Sequence, residues 1–234
     1  MKFWLALLVL VMITMNVMAI HYLDPVSDRW FRLLATLVFY SLFLINYREN
    51  RKLLLAFSLL TLCDGLLVFY EDAIIRNLIY FVRISGYLAI VNFLSAQLAR
   101  LRFNFITFIF SAFIVVLDLY MLHDMATYIP GYREDLIFTV LFYLMGLVSL
   151  VLVGTCISYL NRYADVKGFL LVVISICFVL SDLTFYNAYY LDFDIFYYAD
   201  RVVNIIGMAL LVILAKKWVQ DKKSETLTDS INLE

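Results

Sequence analysis

Eight apolar runs, each about the length of a bilayer crossing and separated only by short polar breaks, constrain this chain more than any other feature. They are Phe3–Ile20, Trp30–Asn46, Leu53–Tyr70, Ile74–Gln97, Asn104–Leu122, Leu136–Leu160, Gly168–Tyr190 and Ile195–Trp218. A helix needs ~17–25 residues to cross the hydrocarbon layer. Backbone polar groups in lipid must be satisfied within the segment, so such runs are helical. Composition agrees: 65% of the 234 residues are apolar and 16% charged, against ~45–50% and ~25% in soluble domains. The expected fold is all-α, a polytopic membrane bundle of about eight transmembrane helices. Residues 1–218 form one transmembrane domain and residues 219–234 a short, polar, mobile tail on the cytoplasmic side. The only prolines, Pro25 and Pro130, fall in polar breaks, so proline kinks are not expected within the spans.

The first run, beginning at Lys2 and ending near Val17-Met18-Ala19, also has the shape of a signal peptide. It stays uncharged to Leu23, long for such a segment, which favours a retained helix. Orientation follows from loop cations. One side carries twelve: Lys2, Arg48, Arg51, Lys52, Arg100, Arg102, Arg162, Lys167, Lys216, Lys217, Lys222 and Lys223. The other carries four: Arg29, Arg32, Arg76 and Arg133. The positive-inside rule then puts both termini in the cytoplasm, as for a multi-pass protein of a bacterial inner membrane. The net charge of −1 gives no basis for nucleic-acid binding. Cys63, Cys156 and Cys177 sit in apolar runs without CxxC spacing and read as buried hydrophobes. His21 and His123 lack partners at metal-ligand spacing, so neither a metal nor a cofactor is expected. Nothing in the sequence fixes the oligomeric state.

Charges inside the runs are the second constraint, because a carboxylate at membrane depth costs at least ~2.5 kcal/mol. Asp64 lies in LLLAFSLLTLCDGLLVFY, and Asp182 lies 118 positions later in LVVISICFVLSDLTFYNAYY. The same offset carries Tyr80 onto Tyr198 and Arg83 onto Arg201. This register predicts two parallel repeats, about 1–101 and 102–218, related by an axis along the membrane normal with a shared site between them.

Residues three, four or seven apart share a helix face. Thr61, Asp64 and Glu71 do so, as do Ser175, Phe178, Asp182, Tyr186 and Tyr189. Tyr80, Arg83 and Tyr87 line up in the fourth run, and Tyr197, Tyr198, Arg201 and Asn204 cluster in the eighth. These faces suggest a polar pocket rimmed with tyrosine, with Gly65, Gly86 and Gly207 allowing close helix approach. One reading makes Asp64–Arg83 and Asp182–Arg201 structural ion pairs; the other has at least one aspartate do chemistry or bind a substrate. Asp118 reads as interfacial, and Asp200 as pointing to a different face from Arg201. No GxSxG, HExxH or phosphate-binding glycine loop occurs. No lysine lies deep in the last run, which argues against a retinal protein.

At Cys63-Asp64-Gly65-Leu66-Leu67 and Phe178-Val179-Leu180-Ser181-Asp182 the chain resembles the lysoplasmalogenase (YhhN-like) family of integral membrane proteins. The likeness covers roughly Leu53–Leu101 and Gly168–Trp218. Cysteine stands where the family has glycine before the first aspartate. Arg83 and Ser85 stand in the region where the family has a histidine. The resemblance implies hydrolysis of the vinyl ether bond of a lysolipid, releasing a fatty aldehyde and a glycerophospho-base. Asp64 and Asp182 would be the catalytic pair. Arg83 and Arg201 would bind phosphate, with Tyr80, Tyr186, Tyr198 and Asn204 around the substrate. A proton- or cation-coupled transporter and a structural protein with inert ion pairs are the alternatives.

Overall fold

The computed structural model describes residues 2–47, 50–98, 105–129 and 134–231. All its regular structure is helical, in eight elements: α1 (Lys2–Tyr22), α2 (Pro25–Tyr47), α3 (Arg51–Leu67), α4 (Ala73–Leu98), α5 (Phe105–Thr127), α6 (Leu136–Tyr163), α7 (Val166–Tyr190) and α8 (Ile195–Ile231). Six of them, α1, α2, α4, α6, α7 and α8, are long and apolar enough to cross a membrane. The loop residues Arg48, Arg100, Arg102, Pro130 and Arg133 lie outside the described residues.

Short polar side chains set most of the helix starts by accepting otherwise orphaned backbone N–H groups. Asp24 accepts from Ser27 N at 3.2 Å, Asn50 from Leu53 N at 3.3 Å and Asp72 from Ile74 N at 2.8 Å. Asp135 accepts from Phe138 N at 2.9 Å and Asp165 from Gly168 N at 2.6 Å. Asp135 lies outside the spans, and the Phe138 N–H holds its carboxyl below the usual 3.8. Several boundaries differ from the sequence reading: α2 starts at Pro25 instead of Trp30, and α5 runs to Thr127 instead of Leu122. α3 stops at Leu67, and a turn over 68–72 replaces its expected last residues. α8 continues to Ile231, because nothing after Trp218 breaks a helix.

Among the described residues, packing is cyclic. α2 packs on α3, α3 on α4, α4 on α6, α6 on α7, α7 on α8, and α8 back on α2. Outside this ring α1 lies against α2 and α8, while α5 packs closely only on α6. One half of the ring's length is an apolar core that includes Phe39, Phe43, Phe57, Leu60, Leu94, Leu152, Phe178 and Met208. Gly86 and Gly207 let neighbours close up there. A Cβ at Gly86 would lie 3.2 Å from Leu60 Cδ2, and one at Gly207 would lie 2.9 Å from Phe178 Cε1. The other half holds the buried charges. Beyond them, at the end where α1 joins α2, comes a rim of Tyr70, Tyr80, Tyr189, Tyr190 and Tyr197. Cys63, Cys156 and Cys177 are buried free thiols.

Candidate functional site

Two polar groups occupy the charged layer, and only one of them meets open space. The first is a sealed ion network. Arg32 donates from Nε to Asp64 at 3.0 Å, from Nη1 to Asp200 at 2.5 Å and from Nη2 to Ser181 at 3.4 Å. Thr36 and Asn204 donate to the other oxygen of Asp64 at 2.6 and 3.4 Å. Arg201 pairs with Asp28 at 2.7 Å and also with Asp200. Ser181 donates to Asp200 at 2.5 Å. None of Arg32, Asp64, Asp200 and Arg201 is more than 4% exposed. Here each carboxylate meets at least one guanidinium, which is what allows such groups to stay buried.

The second group is Arg83 with Asp182. Arg83 Nη2 lies 2.8 Å from Asp182 Oδ1, and Tyr87 donates its hydroxyl to the same carboxylate. The guanidinium lies over the Tyr87 and Phe178 rings, 5.2 and 5.6 Å from their centroids, within cation–π range. Its Nη1 is buried without a hydrogen-bond partner. Asp182 is 28% exposed, because it faces a cavity of about 220 Å³ between α5 and the helices of the ring.

The cavity wall is mostly apolar, with Leu67, Ile79, Leu122, Phe142, Val153 and Leu183 among its residues. Its ionisable residues are Asp182, Arg83, Asp118, Cys63 and the tyrosines Tyr70, Tyr80 and Tyr186. Tyr186 donates its hydroxyl to the backbone carbonyl of Met125 at 2.5 Å, tying α7 to α5 at the rim. Asp118 on α5 lines the same space, and its Oδ2 is enclosed without a hydrogen-bond partner among the described residues.

The placement corrects several expectations. Arg83 does not pair with Asp64, nor Arg201 with Asp182. Arg83 crosses to Asp182, Asp64 takes Arg32, and Arg201 takes Asp28 and Asp200. Arg32, expected as a loop cation, is buried together with Asp28 in the first turns of α2. Asp200, expected on a different face from Arg201, bonds to it and is fully buried, shared by Arg32, Arg201 and Ser181. Asp118, expected near the outer interface, lines the same cavity. Glu71 follows α3 in the turn and pairs with Arg29 at 2.8 Å. Of the substrate-contact candidates, Arg83, Tyr80 and Tyr186 line the cavity, while Arg201 and Asn204 belong to the sealed network. Tyr198 is half-buried on α8 and, among the described residues, enters neither group. No group of His, Cys, Asp and Glu arranged for a metal ion occurs among the described residues.

Arg32 and Asp28 were legible in principle. They sit four apart on one helix face, Asp28-x-x-x-Arg32, so that face carries both charges to its neighbours, where each pairs with another helix. Set against known proteins, the chain matches no family model, no curated protein and no solved structure.

Proposed function

We propose that the chain is an integral membrane hydrolase of the lysoplasmalogenase type, cleaving the vinyl ether bond of a lysolipid to a fatty aldehyde and a glycerophospho-base. One observation carries the reading: an apolar cavity whose wall holds the Arg83–Asp182 ion pair. A single-chain amphiphile matches that division, with its hydrocarbon against Leu67, Phe142 and Val153 and its polar end at the charges. Vinyl ether hydrolysis passes through an oxocarbenium-like cation. The Asp182 carboxylate stabilises that charge and takes a proton from the attacking water. The free Nη1 of Arg83 binds the phosphate. Asp64 serves by holding Arg32, since Arg32, Thr36 and Asn204 already occupy its oxygens.

In this reading all eight helices cross a bacterial inner membrane with both termini cytoplasmic, and the halves 1–101 and 102–218 are parallel repeats. The packing order supports the repeat. The pairs α2–α3, α3–α4, α4–α6 and α1–α2 recur four helices on as α6–α7, α7–α8, α8–α2 and α5–α6.

The test is product analysis in proteoliposomes supplied with a 1-alkenyl lysophospholipid, its 1-acyl analogue or a panel of small solutes. Aldehyde from the alkenyl lipid, lost in Asp182→Asn, is the expected result. Fatty acid from the acyl lipid would replace the reaction with ester hydrolysis. Solute flux without aldehyde would replace the hydrolase with a transporter.

A further inference from the structure

Among the described residues, Asp118 is the carboxyl group of the cavity wall that the ion networks leave out. It projects from α5 into the cavity that Asp182 faces from α7. Unlike Asp182, it makes no ion pair or hydrogen bond through its enclosed Oδ2 among the described residues. Its surroundings in the wall are apolar, with Leu122 and Leu150 among them. The groups that share the cavity are Asp182, Arg83, Cys63, Tyr70, Tyr80 and Tyr186. Arg83, the wall's guanidinium, is engaged by Asp182 at 2.8 Å. A carboxylate with an enclosed oxygen and no cation beside it costs more than a carboxylic acid in the same place.

We propose that Asp118 is the proton donor of this cavity and Asp182 its partner carboxylate, so that the chemistry runs between α5 and α7. The proposal rests on the hydrolase reading and names a catalytic pair, Asp118 with Asp182, in place of Asp64 with Asp182. Asp118 gives its proton to the alkenyl carbon remote from the ether oxygen, and the adjacent carbon becomes the oxocarbenium centre. Water adds there as Asp182 takes one of its protons, giving a hemiacetal. The hemiacetal hydroxyl then returns a proton to Asp118 while the carbon–oxygen bond to the glycerol breaks. Asp182 protonates the departing oxygen. One water is consumed, aldehyde and alcohol are formed, and both aspartates return to their starting states.

Two measurements test this on the full-length protein. The first is infrared difference spectroscopy of wild type against Asp118→Asn and Asp182→Asn in detergent at neutral pH. A protonated carboxyl C=O band that disappears in Asp118→Asn and persists in Asp182→Asn is expected. The second is aldehyde release from the 1-alkenyl lysophospholipid. Asp118→Asn should lose about a hundredfold or more in kcat, Asp118→Glu should recover part of it, and the melting temperature of Asp118→Asn should match wild type. Absence of the carboxyl band, or full turnover by Asp118→Asn, overturns the assignment of Asp118 while leaving the hydrolase reading intact. Wild type that releases no aldehyde overturns the hydrolase reading, and the catalytic role of Asp118 with it. The band in that case still identifies Asp118 as a carboxyl that holds its proton.

Discussion

Removing Arg32 tests whether the sealed network is structural. Arg32→Met keeps an unbranched side chain of similar reach and deletes the guanidinium. Asp64 then keeps only Thr36 at 2.6 Å and Asn204 at 3.4 Å, both neutral. Asp200 still has Arg201 and Ser181, so the stranded charge is mainly that of Asp64. Breaking a buried pair in this way costs ~3–5 kcal/mol. At ~2–4 °C per kcal/mol for a chain of this size, the melting temperature should fall by about 10 °C. Adding Asp64→Asn neutralises the stranded carboxylate and should return ~1–3 kcal/mol as a coupling energy. Thermal melts of wild type, both single variants and the double variant in one detergent give the whole cycle. On the proposed hydrolase reading, aldehyde release per folded molecule should stay near wild type in the double variant, since neither residue lines the cavity. Melts of Arg32→Met within ~2 °C of wild type, or a double variant no more stable than Arg32→Met, would refute the argument that burial makes this pairing obligatory.

Three further outcomes follow from particular contacts. Gly207→Ala should cost ~1–3 kcal/mol in thermal melts, because its Cβ would press on Phe178 Cε1 at 2.9 Å; Gly154→Ala, with nothing within 4 Å, is the uncrowded control and should gain up to ~1 kcal/mol. The folded-state pKa of Asp135 is depressed by the Phe138 N–H, so its stabilising contribution is present above 3.8 and lost as pH falls through the lower folded value. Melts recorded down that range should therefore drop more steeply for wild type than for Asp135→Asn. Reporter fusions in the α5–α6 connection and after α8 should face opposite sides of the membrane, and finding both on one side would break the two-termini-inside arrangement.

The helices were legible because a bilayer leaves a backbone few options, and apolar runs of spanning length therefore mark them. Their ends blurred where that constraint stops. At the end of α3, Arg29 of α2 donates to Leu67 O at 3.4 Å, a neighbour that sequence spacing within one helix does not reveal. The charged residues Asp64, Arg83, Asp182 and Arg201 were legible as intramembrane groups, and all four belong to the polar layer. Their pairing was not. An offset of 118 aligns equivalent positions, but it says nothing about which helix stands beside which. Partners depend on the ring order, which brings α2 between α3 and α8 and so places Arg32 between Asp64 and Asp200.

That ring order also accounts for why one side of the bundle is sealed and the other open. Shifting every helix by four maps α2 onto α6, and the two differ in what they bring. α2 supplies Asp28, Arg29 and Arg32 to the charged layer, filling the space beside α3 and α8 with salt bridges. α6 supplies Met145, Gly146 and Ser149 to the cavity wall, with no charge among them. The outer helices follow the same division. α1 packs on α8, whereas its counterpart α5 does not pack closely on α4, and the cavity lies between them. Deprived of a second guanidinium from α6, Arg83 takes Asp182, and one face of that pair is left toward open space. A chemically similar pair of aspartates is thereby given two environments: Asp64 is enclosed by donors, and Asp182 can be reached. Separation of this kind is what sets carboxyl groups of one fold to different tasks, and it directs experiments to α5 and α7 before α3.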